Sequence, residues 1–208
     1  MLPTMVAVDC RGSKFLIFDK PDVISDGLRA NVGHDAFLEY YSIILVGDTK
    51  DGVILDIGSN IGTYVVPLAK EFPGIEFYSF EPQRIVFYQL CSNIILNGLE
   101  NVHATNKGLS DTPAEIEAFT PNYMVERNVG AFSLDAGVHK NNNQCSTQGR
   151  SEKIQIDRLD DYGFTDVRLI KIDVEGLEMS VIKGGLETIK ANDYPPIIFE
   201  TWSIMDWY

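Results

Sequence analysis

Cysteine is scarce in this chain of 208 residues, and the three present, Cys10, Cys91 and Cys145, stand far apart with no C-x-x-C pair. That spacing speaks against a disulfide framework and a cysteine-ligated zinc site, and it fits a reducing compartment. No apolar run approaches the 18 or more residues of a membrane span, and Met1-Leu2-Pro3-Thr4 lacks the basic stretch and apolar core of a secretory leader. A cytoplasmic protein without a membrane partner is the expectation. Positive charge is short as well: 17 Lys and Arg stand against 30 Asp and Glu, a net charge of −13, and no basic cluster appears. Nucleic acid is therefore not an expected partner, because phosphate recognition needs clustered Lys and Arg. Neither a G-x-G-x-x-G fingerprint nor a Gly-Lys-Ser/Thr is present, so a dinucleotide pyrophosphate or a triphosphate has no ready cradle.

What the chain does have is enough apolar sequence, 45%, to bury one full core. Within it, Leu55-Asp56-Ile57-Gly58-Ser59-Asn60-Ile61-Gly62 runs an apolar strand into a carboxylate and then into a turn with two glycines. The strand Val53–Ile57 has the near-continuous apolar character of a parallel strand buried on both faces, and Gly58 lets the backbone turn where a side chain would meet a ligand. A helix over 61–72 follows, with Pro67 expected to kink its second turn. The next strand, over 75–80, ends on Glu81-Pro82. An acidic side chain at an adjacent strand tip, roughly 20 residues past a glycine turn, is placed to grip a ribose diol. The plain alternative for Glu81 is a helix-start carboxylate favoured by the macrodipole. From Val53 onward strands and helices alternate, which implies a doubly wound, mostly parallel α/β sheet.

Before that alternation, 5–9 and 14–18 look like a hairpin and 34–46 like a helix, so residues 1–50 form an expected N-terminal cap on a domain over 51–208. A third strand over 102–105 runs into Asn106 and Lys107, candidates for an adenine edge, though turn chemistry alone also favours Asn there. Short strands over 115–119, 131–134 and 153–156 suggest an antiparallel excursion, with a polar loop over 137–150 that is either a lid or a plain insertion. Lys171-Ile172-Asp173-Val174-Glu175-Gly176 is the second strong feature. Period-2 alternation puts Lys171, Asp173 and Glu175 on one face at the C-terminal end of a central strand, the end where α/β sheets bind ligands. The plain alternative is a Lys171–Asp173 ion pair with Glu175 near the next helix start. That helix, over 177–189, is interrupted by Gly184-Gly185, where glycine costs helix stability and close packing against the sheet is the expected reason, and a last strand, 197–199, ends on Glu200.

The glycine loop resembles the D-x-G-x-N-x-G loop of S-adenosylmethionine-dependent methyltransferases. From about Gly52 to Glu200 the chain resembles the FkbM-type members of that class, on Asp56 to Gly62, Phe80-Glu81-Pro82, Leu109-Ser110-Asp111, Ile156 to Asp161, Lys171 to Gly176 and Pro196 to Glu200. The resemblance implies a Rossmann-like class I methyltransferase fold with strand order 3-2-1-4-5-7-6. It also implies S-adenosyl-L-methionine as cofactor, with Asp56, Gly58, Ser59, Asn60, Gly62, Glu81, Pro82, Asn106, Lys107 and Asp173 as the cofactor-binding set. The expected reaction is methylation of a hydroxyl on a sugar or other small molecule. One departure is that the C-terminal helix and strand hairpin of the family are not present before Tyr208. The fifth strand is then expected as an open edge, with a homodimer as one consequence.

Asp173 is the first candidate to take the acceptor proton, with Glu175 and Glu200 as alternatives and Lys171 as its orienting partner. His34, His103 and His139 are weaker candidates by their placement. A magnesium ion on Asp173, Glu175 and Glu200 is a second mechanism, since hard oxygen ligands suit it. Two other classes stay open: a ribose 2′-hydroxyl RNA methyltransferase, for which Asp173, Lys183 and Glu200 supply part of a Lys-Asp-Lys-Glu set, and a non-catalytic nucleotide-binding module.

Overall fold

The computed structural model describes residues 2–130, 133 and 150–200. The expected strand over 131–134 and polar loop over 137–150 lie outside the described residues, apart from Ser133 and Arg150, as do His139, Cys145 and the segment after Glu200. The chain opens with Met5–Cys10 (β1) and Ser13–Phe18 (β2), an antiparallel pair joined by Arg11 and Gly12, both left-handed at φ 49° and 81°. Two consecutive left-handed residues make the hairpin turn whose twist matches the strands. The free edge of β2 is not left bare. Asn93 accepts a hydrogen bond from the Leu16 amide at 2.6 Å, while Asn97 accepts from the Lys14 amide and donates to its carbonyl at 2.9 and 2.7 Å.

Val23–Arg29 (α1) starts at Asp22, whose carboxylate accepts from the Ser25 amide at 3.0 Å, an N-cap that compensates for a helix containing Gly27 and Val23. Nothing in the apolar periodicity of 23–29 announces this helix. Ala36–Val46 (α2) follows, then Val53–Ile57 (β3), Val65–Glu71 (α3), Glu76–Phe80 (β4), Arg84–Leu96 (α4) and Val102–Thr105 (β5). Because α3 begins at Val65 rather than at residue 61, Pro67 sits in its first turn. An amide there has no partner within the helix, so proline removes no bond and the expected kink has no cause.

A side sheet interrupts the alternation: Gly108–Leu109 (β6), Ala114–Phe119 (β7) and Ser151–Asp157 (β8), in the order β6-β8-β7 with β7 and β8 antiparallel. The chain then returns through a 3-10 turn at Leu159–Tyr162 to Val167–Ile172 (β9), Glu178–Gly184 (α5), Leu186–Ala191 (α6) and Ile197–Phe199 (β10). The helix expected over 177–189 is thus two. At the break, a Cβ on Gly184 would lie 2.0 Å from the Ser110 carbonyl oxygen and one on Gly185 would lie 2.8 Å from Leu159. Close packing, as glycine here implied, is the reason.

The main sheet runs β10-β9-β3-β4-β5, every neighbouring pair parallel. That is the expected order 3-2-1-4-5. One core cluster, with Ile54, Val65, Phe77, Val86 and Leu90, lies on the α3 and α4 side and takes in Phe15, Ile17, Ile24 and Leu28 from the first fifty residues. The other, with Leu55, Ile57, Phe80, Ile170 and Val181, fills the opposite face. Two buried faces explain the continuous apolar runs of β3 and β9. No helix among the described residues is long and apolar enough to cross a membrane.

Candidate active site

All five parallel strands point their C-terminal ends at one cleft of about 390 Å³. Its first wall is the loop after β3. Gly58 is left-handed, φ 79°, and a Cβ there would lie 1.8 Å from the Asp173 carbonyl oxygen. The collision that glycine avoids is with the neighbouring strand tip, not with a ligand. Ser59 and Gly58 both donate their amides to the Phe80 carbonyl, at 3.0 and 2.9 Å, and so tie the loop to β4. Asn60, left-handed at φ 50°, donates its amide to the Glu81 carboxylate at 3.0 Å, and the Gln83 amide takes the other oxygen at 2.8 Å. Glu81 is 5% exposed, and burial pushes its carboxyl up to about 7 against the pull of those two amides. A buried carboxylate with one lone pair per oxygen still free is suited to accept from a vicinal diol.

Of the residues expected at the cofactor, Gly58, Ser59, Asn60, Glu81, Pro82, Lys107 and Asp173 line the cleft, whereas Asp56, Gly62 and Asn106 do not. Gly62 packs against α4, where an added Cβ would lie 2.9 Å from Leu90. Asn106 donates to the Glu81 and Pro82 carbonyls at 2.8 and 3.1 Å and so holds the β4 tip. Asp56 is fully buried beneath the loop, opposite Lys171 in the β3–β9 register, with its carboxylate 3.2 Å from the Lys171 ammonium.

Lys171 is the hub of the second wall. Its ammonium donates to the Gly58 carbonyl at 2.7 Å, and it lies 3.6 Å from Asp173 as well as beside Asp56. Desolvation works against the charge, but Asp56, Asp173 and Asp35 outweigh it and hold the amine protonated. Lys171 is therefore a fixed cation that ties the loop to the β9 tip, not a base. Asp173 is half-buried and opens onto the cleft. Glu175, left-handed at φ 55°, is pushed up to about 7 by burial and by Asp173, Glu200 and Glu178. Asp173, Glu175 and Glu200 can each bring one carboxylate oxygen within 4.8 Å of the others. Glu178, the first residue of α5, holds the loop before the helix: its carboxylate accepts the Val174 and Gly176 amides at 3.2 and 3.0 Å.

Several cleft residues carry no signal in the linear sequence. Ile24, Asp35 and Leu38 come from the cap, Thr63 from beyond the glycine loop, and Gln83 from the start of α4; His34, a weaker candidate in the sequence, lines the cleft with them. The Thr63 hydroxyl donates to Asp35, joining cap and loop, and Lys107, which lines the cleft, pairs with Asp157 at the end of β8. The Thr63–Asp35 contact shows only when the chain is folded, because 28 residues separate its partners.

A parallel sheet in this order, with a glycine turn on the first strand and an acidic tip on the second, defines a Rossmann-like α/β domain of the class I methyltransferase type. Residues 56–203 match the family model described as the methyltransferase FkbM domain, and the chain belongs to that family. Among curated relatives it is 28% identical over 146 residues to "Methyltransferase 1" of Beauveria bassiana, covering 64% of this chain and 58% of that protein. It is 26% identical over 156 residues to the "2-O-methyltransferase NoeI" of Sinorhizobium fredii, covering 71% and 63%. The chain thus spans about three fifths of the length of the curated relatives it matches. A solved precorrin-6y C5,15-methyltransferase from Geobacter metallireducens overlaps 82% of this chain and 65% of its own at 10% identity, with a TM-score of 0.47.

Proposed function

We propose that this chain binds S-adenosyl-L-methionine in the cleft and transfers its methyl group to a hydroxyl oxygen of a sugar or another small molecule. The observation that carries the reading is the pairing, across one cleft, of a buried carboxylate, Glu81, with a partly exposed one, Asp173, beside the Lys171 cation. Membership of the FkbM methyltransferase family supports the cofactor, and the likeness to a protein described as a 2-O-methyltransferase supports an oxygen acceptor.

The sulfonium supplies an activated methyl group, so the protein's share is alignment and removal of one proton. The Gly58 to Asn60 loop and Glu81 would hold the donor. Asp173 would take the proton of the attacking hydroxyl, whose oxygen would gain the methyl group that the sulfonium gives up. Lys171, already charged, keeps the Asp173 carboxylate oriented and does not compete for that proton.

Asp173→Asn is expected to lower turnover on the order of 10²–10⁴-fold while leaving affinity for S-adenosylhomocysteine close to parental. Turnover is read as transfer of a labelled methyl group to a panel of free sugars, and affinity by calorimetry. Near-parental turnover would move the base to Glu175 or Glu200. A second reading has its own observation, the convergence of Asp173, Glu175 and Glu200: these three would hold a magnesium ion that orients an acceptor diol. In that case chelation inhibits the parent and added magnesium restores it.

A further inference from the structure

Helix α2 is amphipathic the wrong way round. Its buried stripe is Glu39, Ser42 and Val46; Glu39 takes the Arg11 guanidinium at 2.7 Å, and the Ser42 hydroxyl shares a 2.7 Å hydrogen bond with that of Tyr64. Its outward side carries Phe37, Tyr40, Tyr41 and Ile44, flanked by Ile43 and Leu45. The intervals i, i+3, i+4 and i+7 are those of a core-facing stripe, yet Phe37 is 70%, Tyr40 60% and Ile44 56% exposed. The rings are mutually ordered: Phe37 and Tyr40 each meet Tyr41 edge-on, at 4.5 and 5.5 Å between centroids. The only charged residue of the helix is the buried Glu39.

The size of this face can be set against what an interface needs. Aromatic side chains offer roughly 150–250 Å² each, so the three rings present on the order of 350 Å². The flanking aliphatic chains bring the face to about 500 Å², at the upper end of what a monomer leaves bare. A standard interface buries about 800 Å² per partner, of which this stripe supplies the larger share.

We propose that the outward face of α2 binds a second copy of this chain, α2 against α2 about a twofold axis. An isologous contact requires a surface complementary to itself, and an apolar stripe free of charge meets that condition. A different protein partner is selected by charge pattern as well as shape, and α2 offers none. At a net charge of −13 the chain is also repelled by an anionic lipid surface. Pairing has a consequence for the cleft. Asp35 and Leu38, from the start of α2, are part of its lining, so a partner seated on the helix immobilises that wall.

The charge gives the contact a salt signature. Two chains of −13 repel each other at long range, and the contact itself holds no ion pair to be screened. Dimer formation therefore strengthens as the Debye length falls from about 30 Å at 0.01 M to about 3 Å at 1 M salt.

Sedimentation velocity over that salt range tests the proposal on the parent chain and on a Tyr40→Glu, Ile44→Glu variant, with far-UV circular dichroism reporting the fold. The expected result is a parent dimer at micromolar concentration whose fraction rises with salt, and a folded monomeric variant. A monomeric parent at every salt, a dimer that survives both substitutions, or one that weakens with salt overturns it. So does a monomeric parent that floats with phosphatidylcholine vesicles, which would hand the face to lipid. Should the charged variant fail to fold, Tyr40→Cys in a Cys91→Ser, Cys145→Ser background reads the same contact. Oxidation is expected to give a disulfide-linked dimer, and its absence overturns the proposal.

Discussion

Glu81 is 5% exposed, bound by two amides and still titrates near 7, so its protonation is coupled to both folding and binding. Its folded value lies above the ordinary 4.5, so between those limits the folded chain holds a proton that the unfolded chain has lost. The stability this group contributes is fully present below 4.5 and is lost as pH rises through about 7, a total of roughly 3 kcal/mol. A ribose diol donates to the ionised form, which reverses the preference: affinity for S-adenosylhomocysteine should rise with pH up to about 7 and level off above it. At pH 6 binding should release a proton, which calorimetry in buffers of different ionisation enthalpy detects. In Glu81→Gln the pH dependence of binding should disappear, and that of stability should shrink to the share contributed by Glu175, whose carboxyl burial also pushes up to about 7; pH-independent binding by the parent would remove Glu81 from the ribose. The residue was legible in the sequence because an acidic strand tip after a glycine turn is a local pattern. Asp56 was legible only as an acid. Its position under the loop depends on the β3–β9 register, which pairs it with Lys171 across 115 residues of chain.

Elements were legible where periodicity is long, and misread where packing decides. Strands β3 and β9 carry apolar runs that a sheet covered on both faces explains. By contrast, β6 is two residues long, too short for any period, and α1 owes its existence to the Asp22 cap and to the hairpin beneath it. The break between α5 and α6 was legible from its two glycines, but the groups they pack against were not. Glycine inside a helix costs about 1 kcal/mol against alanine, so in an open helix Gly184→Ala would stabilise. Here the new methyl group would meet backbone, the Ser110 carbonyl, at 2.0 Å, and neither α5 nor the β6 tip moves freely. Overpacking of that kind costs roughly 1–3 kcal/mol, so the sign reverses. Urea unfolding of Gly184→Ala is expected to show a lowered midpoint at unchanged slope; a raised midpoint would mean that β6 yields and that the glycine is there by accident.

At the scale of the whole molecule, strand–helix alternation gave a parallel sheet covered on both faces, while its strand order came from the resemblance to the FkbM-type methyltransferases. The first fifty residues were legible as elements, α1 excepted, but not as core. Phe15, Ile17, Phe18, Ile24 and Leu28 are each 5% exposed or less, in one cluster with Val65, Val86 and Leu90 from the α/β body. Asn93 of α4 and Asn97 at its C-cap hydrogen-bond to the backbone of β2, and Ile24, Asp35 and Leu38 line the cleft. A segment bound in this way cannot melt by itself, because its departure would bare apolar surface on both sides and orphan the backbone of β2. Thermal unfolding should therefore be a single cooperative transition. Its heat-capacity change should be about 2.5–3 kcal/mol/K, the value for a chain of this length unfolding as one unit. Far-UV and near-UV dichroism should coincide through the transition. Removal of residues 1–50 should abolish the transition and not merely lower its midpoint. Two resolved transitions, or a truncated chain that still melts cooperatively, would show that the cap is a separable lid.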